Sequence, residues 1–298
     1  MLRATPRVLP EWIFYFVRRE PFRAEAKRNF TGTAGQQRVP SSFLQSVKIP
    51  LPSLYEQRRI VDILSRAESI VRLRREAQKK AAELIPALFL DTFGDPATNP
   101  KGWPMVALGD VLAEPPTLGT MAKPSRERGT WLDLRVANIQ GGLLTIDDKR
   151  WLELPDDHVR RFALRDGDLI LARAIGSLDH LGKAVVVNTH GESWTFDSHL
   201  MRVRLDQTTL LPEFLKYFLE SPGGREEFLK HTRRSAVQFN INGKELRQIR
   251  CIIPPIERQR SFQKILADVN AIASQQSTAT TQAEATFNAL LAQVFAAA

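Results

Sequence analysis

Side chains that could hold DNA phosphates and read base edges are concentrated between residues 231 and 244. The segment contains three cations, Arg233, Arg234 and Lys244, and three amides at alternating positions, Gln238, Asn240 and Asn242. On a strand, alternating residues share one face, so the three amides could be presented together. Amides pair with adenine edges and arginines with guanine edges. A polar loop of ordinary turn residues has the same composition, and the segment alone does not decide between the two interpretations.

A second group of polar candidates lies upstream, on a predicted strand and in a glycine-bounded loop. The strand contributes Arg135, Asn138 and Gln140, and the loop around Gly176 contributes Arg173, Ser177 and Lys183. Glycine-bounded loops with arginine, serine and lysine suit close approach to a DNA backbone, which proteins hold through its phosphates. The two groups together predict a DNA-binding surface.

Motifs for catalysis are absent from the sequence. It has no Walker A phosphate loop, no dinucleotide-binding glycine motif and no nucleophile elbow, and its five histidines lack zinc-ligand spacing. One nuclease-like pattern exists, Asp147-Asp148-Lys149 with Asp156-Asp157 nearby, and it could hold Mg²⁺ if two carboxylates converged. Acidic pairs in turns are common, so a solvated turn is the favoured interpretation. We predict a non-catalytic chain with no metal site and no cofactor.

The charge balance suits a polyanionic partner, although a basic protein with no such partner has the same balance. The 298 residues include 42 Lys and Arg against 33 Asp and Glu, a net charge of +9, and nucleic acid is the commonest partner of so basic a chain. The single cysteine excludes an internal disulfide and a cysteine-cluster metal site. No apolar run approaches a membrane span, and residues 1–7 lack the apolar core of a signal peptide. The sequence therefore predicts a cytoplasmic protein with no membrane contact.

The sequence repeats itself at a constant offset of 202 positions. Residues 10–16, PEWIFYF, correspond to residues 212–218, PEFLKYF, and the register continues without a gap to Phe93 and Phe295. Chance matches do not hold one register over such a length, so we interpret the pattern as a duplication. Because Met1 aligns with Val203, we expect one and a half units, with the front of the first unit absent.

Each copy ends in a long helical pattern. Apolar residues at heptad-like spacing predict a helix from Leu54 to Phe93, with a kink near Pro86, and a second one from Ile256 to Phe295. The first predicted stripe consists of Ile60, Ile63, Ala67, Ile70, Ala77, Ala81, Leu84 and Leu88. The second consists of Phe262, Ile265, Val269, Ile272, Ala279, Ala283 and Leu290. We expect the two stripes to pair with each other, although each could instead pack only on its own globular neighbour.

Between the helices the sequence predicts an α+β domain. Residues 168–173, 183–187 and 200–205 read as short strands, and residues 11–30 and 212–231 each read as one helix. Residues 31–53 read as a loop with short strands, and residues 94–110 as a linker and domain entry.

Several segments together resemble the specificity subunits of type I restriction–modification systems. The similarity to the central conserved region of that family is carried by residues 49–64 (IPLPSLYEQRRIVDIL), 88–96 (LFLDTFGDP) and 99–103 (NPKGW). The similarity to a target-recognition domain is carried by residues 135–140 (RVANIQ), 167–173 (GDLILAR) and 198–203 (SHLMRV).

The resemblance implies a fold of the α+β class: one complete mixed α/β target-recognition domain and a partial one, joined by two long antiparallel, coiled-coil-like helices. Residues 1–53 would be the end of a first recognition domain in an N-terminally truncated subunit. Residues 54–95 would form the central helix, 96–254 the second recognition domain and 255–298 the C-terminal helix. A helix of 40 residues would be about 60 Å long and could act as a ruler between half-sites.

The resemblance also implies the partners. These are double-stranded DNA, the methyltransferase (M) subunits, and through them the restriction and motor (R) subunit. Glu56, Gln57, Arg58 and Arg59 are the expected partner-binding residues. The first recognition domain is shorter here than in the family, so self-association or a complementing specificity-subunit fragment remain open as further partners. Two alternatives remain: a decayed subunit that only binds the methyltransferase as a scaffold, and a metal-dependent nuclease that uses Asp147, Asp148 and Lys149.

Overall fold

A computed structural model describes residues 4–32, 35–125, 129–140, 142–235 and 238–296. The helices are α1 (Pro10–Arg18), α2 (Glu20–Arg28), α3 (Ser41–Ser46), α4 (Leu54–Phe93), α5 (Asp156–Phe162), α6 (Pro212–Glu220), α7 (Pro222–Lys230), α8 (Gly243–Leu246) and α9 (Ile256–Ala296). The strands are β1 (Met105–Ala107), β2 (Leu112–Leu118), β3 (Trp131–Leu134), β4 (Ile139–Gln140), β5 (Leu143–Leu144), β6 (Trp151–Leu152), β7 (Leu169–Ala172), β8 (Ala174–Ile175), β9 (Ala184–Val186), β10 (Trp194–Phe196), β11 (Leu200–Leu205), β12 (Arg233–Arg234), β13 (Phe239–Asn240) and β14 (Arg250–Ile252). None of the helices in these ranges is long and apolar enough to cross a membrane.

The chain divides into two compact units, and both long helices run through both units. Unit 1 consists of Met1–Ala82 and Asn270–Ala298, and unit 2 of Glu83–Val269. Each unit therefore contains a piece of α4, a piece of α9 and the globular elements that pack on them. The four-part division of the chain at residues 53, 95 and 254 remains a prediction. The two units are defined by their internal contacts and do not test those boundaries.

In unit 1, aromatic residues of α1 pack on the C-terminal part of α9. The rings of Trp12 and Phe295 are 4.7 Å apart and those of Tyr15 and Phe287 are 6.3 Å apart. Leu64 of α4 joins the same buried cluster. Burial and the adjacent Glu68 carboxylate, which accepts a hydrogen bond from the Tyr15 hydroxyl at 3.0 Å, raise the pKa of Tyr15 to about 12. The N-terminal part of α4 and the C-terminal part of α9 thus share one core.

Unit 2 contains the complementary halves of the two helices. Phe262 of α9 lies 5.8 Å from Phe89 and 5.2 Å from Phe93 of α4, and Phe93 also contacts Phe214 of α6. The end of α4 meets the start of α9 here, whereas unit 1 pairs the opposite ends, so the helices run antiparallel. The predicted pairing of the two long helices is confirmed, and each half also packs on its globular neighbour.

The two predicted interhelical stripes are wrong by one residue at four of their fifteen positions. Ile63, Ile70 and Leu84 of α4 are exposed, as are Ile265 and Ile272 of α9. The residues that follow them along the helices are buried instead: Leu64, Val71, Ile85 and Leu266. Both sets satisfy spacings of three and four, because α4 and α9 carry apolar residues over a face wider than a two-helix seam.

The centre of unit 2 is a four-stranded antiparallel sheet in the order β2-β11-β7-β9. Leu169 and Leu171 of β7 face the core that includes α6, while Ile170 and Ala172 face a second core. That second core is closed by the sheet β10-β3-β6, in which β10 and β3 are parallel. Successive residues of β7 point to opposite faces, so this central strand is apolar throughout.

Each of the two predicted α-helices near residues 11–30 and 212–231 is in fact a pair of helices. Ser221, with extended backbone, separates α6 from α7, and its hydroxyl caps α7 by accepting from the Gly224 amide at 3.2 Å. Arg19 separates α1 from α2 in the same way. Pro222 directly follows Ser221, and the steric demand of its ring disfavours helix in that residue. In the first pair, Pro21 is the second residue of α2.

The duplication is visible in hydrogen bonds as well as in sequence. The Gln57 side chain is fully buried: its Oε1 accepts from the Leu9 amide at 2.9 Å, and its Nε2 donates to the carbonyls of Arg7 and Pro52. Gln259, 202 positions later, makes the equivalent bonds with Leu211, Thr209 and Pro254. A buried glutamine thus ties the start of each long helix to the start of a short aromatic helix.

Candidate nucleic-acid interface

A three-stranded sheet in unit 2, β12-β13-β8, positions three of the six residues predicted between 231 and 244. Arg233 is opposite Asn240 and Arg234 opposite Phe239, and Phe239 in turn pairs with Ile175 of β8. Directly opposed residues of an antiparallel pair share a face, so Arg233 and Asn240 lie on one face. Arg234 lies on the other, with its guanidinium 5.5 Å from the centre of the Phe239 ring.

Two of the residues in this segment serve the fold. Asn242 caps α8: its Oδ1 accepts from the amides of Lys244 at 2.9 Å and Glu245 at 3.0 Å. Arg233 forms an ion pair with the buried Glu245 carboxylate. The predicted face of three amides is therefore wrong at Asn242, whose side-chain oxygen is used by the backbone. Gln238 and Asn240 are half-buried, whereas Arg234 and Lys244 are exposed.

A cleft of about 340 Å³ brings two of the predicted groups together. Gln238, from the segment 231–244, and Arg135, from the upstream group, both line it. Gly176 lies in its wall between them, at the end of β8. Side chains about 100 positions apart in the sequence thus meet at one concave surface of unit 2.

Arg135 and Arg173 are partly occupied by internal hydrogen bonds. Nη2 of Arg135 donates to the Asp148 carboxylate at 2.8 Å, and Nη1 of Arg173 donates to the Ser198 carbonyl at 2.9 Å. Desolvation by burial lowers the pKa of Arg173. The Nε atoms of both arginines are buried and have no hydrogen-bond partner in the described part of the chain. Both guanidinium groups are thus held in place while retaining donors.

Asn138 does not belong to a binding surface. It is buried, and its Oδ1 accepts from the Arg135 amide at 2.9 Å while its Nδ2 donates to the Thr145 carbonyl at 2.8 Å. The predicted base-reading role of this amide is therefore wrong, because its side chain orients the backbone that carries Arg135. Gln140, two residues further, is exposed and donates to the neighbouring Ala137 carbonyl.

Ser177 and Lys183 flank a loop beside the cleft and do not line it. Lys183 Nζ lies 2.8 Å from Nδ1 of His180, and both Ser177 and Lys183 are half-buried. The loop between them is fixed to α7, because Arg225 donates to the carbonyls of Leu178 and Leu181.

Two residues that sequence reasoning missed, Asp197 and His199, complete the cleft. They lie in the turn before β11, where the Asp197 carboxylate accepts from the His199 amide at 3.0 Å. A carboxylate in a groove-facing site can accept from the exocyclic amine of cytosine. The signal available in the sequence was their position next to the alternating strand 200–205.

An ion network lies behind this wall of the cleft. Arg150 pairs with Asp133, which is buried, and lies 3.7 Å from the Asp197 carboxylate. Desolvation raises the pKa of Asp133 to about 6, although the hydrogen bond from Arg150 opposes the shift. Arg150 therefore helps to position Asp197 from behind.

The nuclease-like acidic residues do not converge. Asp147, Asp148 and Lys149 are exposed in the bend before β6, and Asp148 is paired with Arg135. Asp156 and Asp157 lie in the first turn of α5. The described ranges contain no group of three or more histidine, cysteine or acidic side chains placed to hold a metal ion.

The predicted partner-binding residues at the start of α4 divide into two kinds. Gln57 is buried and its amide is used within unit 1, so its predicted role as a partner contact is wrong. Arg58 and Arg59 are exposed, and Arg59 forms an ion pair with Glu56 at 3.2 Å.

The chain is similar to a known protein family and to several characterised proteins. Residues 10–83 match the family model described as type I restriction modification DNA specificity domain. The StySPI specificity subunit of Salmonella potsdam is 24% identical over 310 residues, which cover 99% of this chain and 66% of the relative. The EcoKI specificity subunit of Escherichia coli K12 is 23% identical, with 99% and 67% covered.

Over nearly its whole length the chain is similar to type I restriction enzyme specificity subunits, and residues 10–83 match their DNA specificity domain. Its curated relatives are specificity subunits and not the catalytic subunits of these systems, in agreement with the predicted non-catalytic role. The chain spans about two thirds of the length of these two relatives.

Solved structures confirm the predicted fold class. A chain from work on complex assembly and conformational transition of the type I R-M system aligns over 99% of this chain and 73% of its own length, with 23% identity and a TM-score of 0.62. The S subunit from M. genitalium aligns over 98% and 74%, with 16% identity and a TM-score of 0.54.

Proposed function

We propose that the chain is the DNA-reading subunit of a type I restriction–modification complex and that unit 2 recognises one part of a bipartite target. The observation that carries this proposal is the cleft in which Arg135 and Gln238 meet beside the exposed Arg234. Arginine and amide side chains from a rigid sheet are the groups that discriminate base edges in the major groove. The basic net charge of +9 supplies the general attraction to phosphates.

The residues divide into base-reading and phosphate-holding groups. Arg135, Gln238, Asp197 and His199 line the cleft, and Asn240 lies on the adjacent strand, so we assign base contacts to these five. Gln140, Arg234 and Lys244 are exposed around it and are assigned to the backbone or groove edge. Arg173, Ser177, Lys183 and Arg233 retain a positioning role, because internal contacts hold three of them.

The proposal extends to the domain division and to the partners. Residues 96–254 act as the recognition domain, residues 54–95 and 255–298 as the conserved helices, and residues 1–53 as the end of another recognition domain. The helices dock the methyltransferase subunits, with Glu56, Arg58 and Arg59 at one end, and the motor subunit joins through them in the cytoplasm. Methyl transfer, ATP use and cleavage belong to those partners.

The test is selection of preferred duplexes from a random-sequence library by the chain together with its methyltransferase subunit. We expect one enriched motif. Arg234→Gln should weaken binding to the enriched duplex by about 1–3 kcal/mol if the arginine reads a base, and less if it holds a phosphate. Gln238→Ala should relax the motif at one position.

The matched control is Arg160→Gln, which removes the same charge from an exposed position of α5. It should leave both the motif and the affinity unchanged. If no motif is enriched while the methyltransferase still binds the chain, the chain is a scaffold and the recognition proposal fails.

A further inference from the structure

Met121 has the largest exposed fraction, 82%, of any large apolar side chain in the described part of the chain. It lies three residues after the end of β2. A single exposed apolar side chain is ordinary on a protein surface, so its role depends on the site to which the backbone fixes it.

The backbone beside Met121 is anchored to the turn that carries Asp197 of the cleft. Thr120 is buried and forms a parallel bridge with Asp197, and its amide donates to the Phe196 carbonyl at 2.8 Å. Gly119 approaches the same turn so closely that a Cβ atom there would clash with the Asp197 carbonyl. Because consecutive Cα atoms are about 3.8 Å apart, Met121 stands at the rim of the cleft.

The other end of the same extended segment lies against the helix that carries Lys244. This helix, α8, begins at Gly243, where a Cβ atom would lie 3.4 Å from the carbonyl oxygen of Pro116. Pro116 is four residues before Thr120, which is about 13 Å in extended chain. The segment from Pro116 to Met121 thus runs between the exposed Lys244 and the cleft, to which we assign phosphate and base contacts respectively.

An exposed cation follows Met121 in the chain. Lys123 is exposed, and within the described residues its side chain makes no hydrogen bond or ion pair. The Ala122 amide between the two donates to Oγ1 of Thr120 at 3.0 Å and so fixes the local backbone. An apolar side chain is therefore presented next to a cation that is free to hold a phosphate.

We propose that Met121 contacts the 5-methyl group of a thymine in the major groove, beside the base pair that is read in the cleft, and that Lys123 holds a neighbouring phosphate. The inference rests on the proposed DNA-reading function of unit 2 and adds a base identity to it. The thymine methyl is the apolar group on the major-groove edge of the base pairs, and the minor groove offers none. Met121 has no hydrogen-bond donor, so it discriminates through this methyl group, whereas Asp197 discriminates through an exocyclic amine.

The test replaces the thymines of the enriched duplex one at a time by deoxyuridine, which lacks the 5-methyl group and keeps the hydrogen-bonding edge. The chain is bound together with its methyltransferase subunit, and fluorescence anisotropy measures the affinity. For the wild type we expect one position at which deoxyuridine weakens binding about fourfold, as for the loss of one buried apolar carbon. Met121→Ala should bind the thymine and deoxyuridine duplexes equally at that position.

Met105→Ala is the matched control, because it removes an exposed methionine from the sheet β1-β14, which shares no strand with the sheets around the cleft. It should keep the wild-type response to deoxyuridine. Lys123→Gln should weaken binding to the thymine and deoxyuridine duplexes by the same factor, because a phosphate contact carries no base identity. The melting temperature of Met121→Ala should equal that of the wild type, since the side chain is exposed.

Two results overturn the inference while the proposed function stands. One is an enriched motif without thymine, and the other is an equal response of the wild type and Met121→Ala to deoxyuridine at every position. A loss of DNA bending in Met121→Ala, measured by energy transfer between the duplex ends, together with that equal response would identify the side chain as a wedge between base steps. If no motif is enriched at all, the proposed function fails and this inference fails with it.

Discussion

At the scale of single residues, Asp133 connects the cleft to the stability of unit 2. It is buried behind Asp197, its Oδ1 has no hydrogen-bond partner in the described chain, and desolvation raises its pKa to about 6. In the unfolded chain an aspartate titrates near a pKa of about 3.9. Between these two values the folded state holds the proton more strongly, so the free energy of unfolding falls as the pH rises.

We expect Asp133→Asn to remove this pH dependence. The wild-type chain should lose about 3 kcal/mol of unfolding free energy between roughly pH 4 and pH 6, because each pKa unit corresponds to about 1.4 kcal/mol. The variant has no carboxyl group at this position, so its dependence should be flatter by that amount. Urea unfolding monitored by tryptophan fluorescence at several pH values measures both curves.

Asp147→Asn is the matched control, since Asp147 is exposed in a bend. It should follow the wild-type curve. A wild-type slope that persists in Asp133→Asn would show that another group titrates in this range.

The sequence predicted which types of residue form the candidate interface. It predicted only in part which of them are free to bind and which cap the backbone. Asn242 is followed by Glu245 three positions later, which is a capping-box spacing that the sequence displays. Asn138 caps a short turn whose existence depends on the partner strand β5, and no local signal marks it. A polar side chain near a turn can satisfy the backbone or a ligand, and tertiary contacts decide which.

At the scale of elements, the long helices were predictable because the apolar pattern and the repeat both mark them. The structure places them at Leu54–Phe93 and Ile256–Ala296, against predictions of 54–93 and 256–295. Their buried face was not predictable, because two overlapping stripes fit the same spacing. Burial was decided by α1 in unit 1 and α6 in unit 2, which the helix pattern does not contain.

Ile63, Ile70 and Leu84 of α4 remain exposed, and this apolar stripe is our candidate surface for the methyltransferase. We expect Ile63→Glu with Ile70→Glu to abolish co-purification with the methyltransferase subunit, since both side chains are about half exposed and apolar. The melting temperature should change little, because neither residue belongs to a buried cluster. Affinity co-purification and thermal unfolding measure the two effects.

Arg66→Glu on the same helix is the control, being exposed and paired only with Asp62. It should leave co-purification intact. Retained binding by the double isoleucine variant would place the methyltransferase elsewhere.

At the scale of the whole molecule, the cations behind the net charge of +9 differ in whether an acidic side chain already pairs with them. On α4, Arg59, Arg66, Arg72 and Arg75 are all paired with carboxylates, the last with Glu284 of α9 at 2.6 Å. The exposed cations beside the cleft, Arg234 and Lys244, have no such acidic partner in the described residues. Phosphate binding should therefore depend on Arg234 and Lys244 more than on these four arginines.

We expect the salt dependence of binding to random duplex DNA to report this difference. Removing one phosphate contact reduces the slope of log K against log salt by about 1. Arg234→Gln should do so, whereas Arg75→Gln should leave the slope unchanged. Fluorescence anisotropy over a salt series measures it, and equal slopes for both variants would locate the phosphate contacts away from the β12–β13 hairpin.

Each unit contains part of both long helices, and as a result the cores of the two units are completed at different times during synthesis. Unit 2 is a continuous stretch, Glu83–Val269, and all of its core residues are synthesised before α9 is complete. Trp12 and Phe16, by contrast, are made near the beginning and pack against Phe295, near the end. Contacts so distant in sequence form slowly, because a very long loop must close first. Trp12 and Phe16 can therefore be buried only after Phe295 has been synthesised.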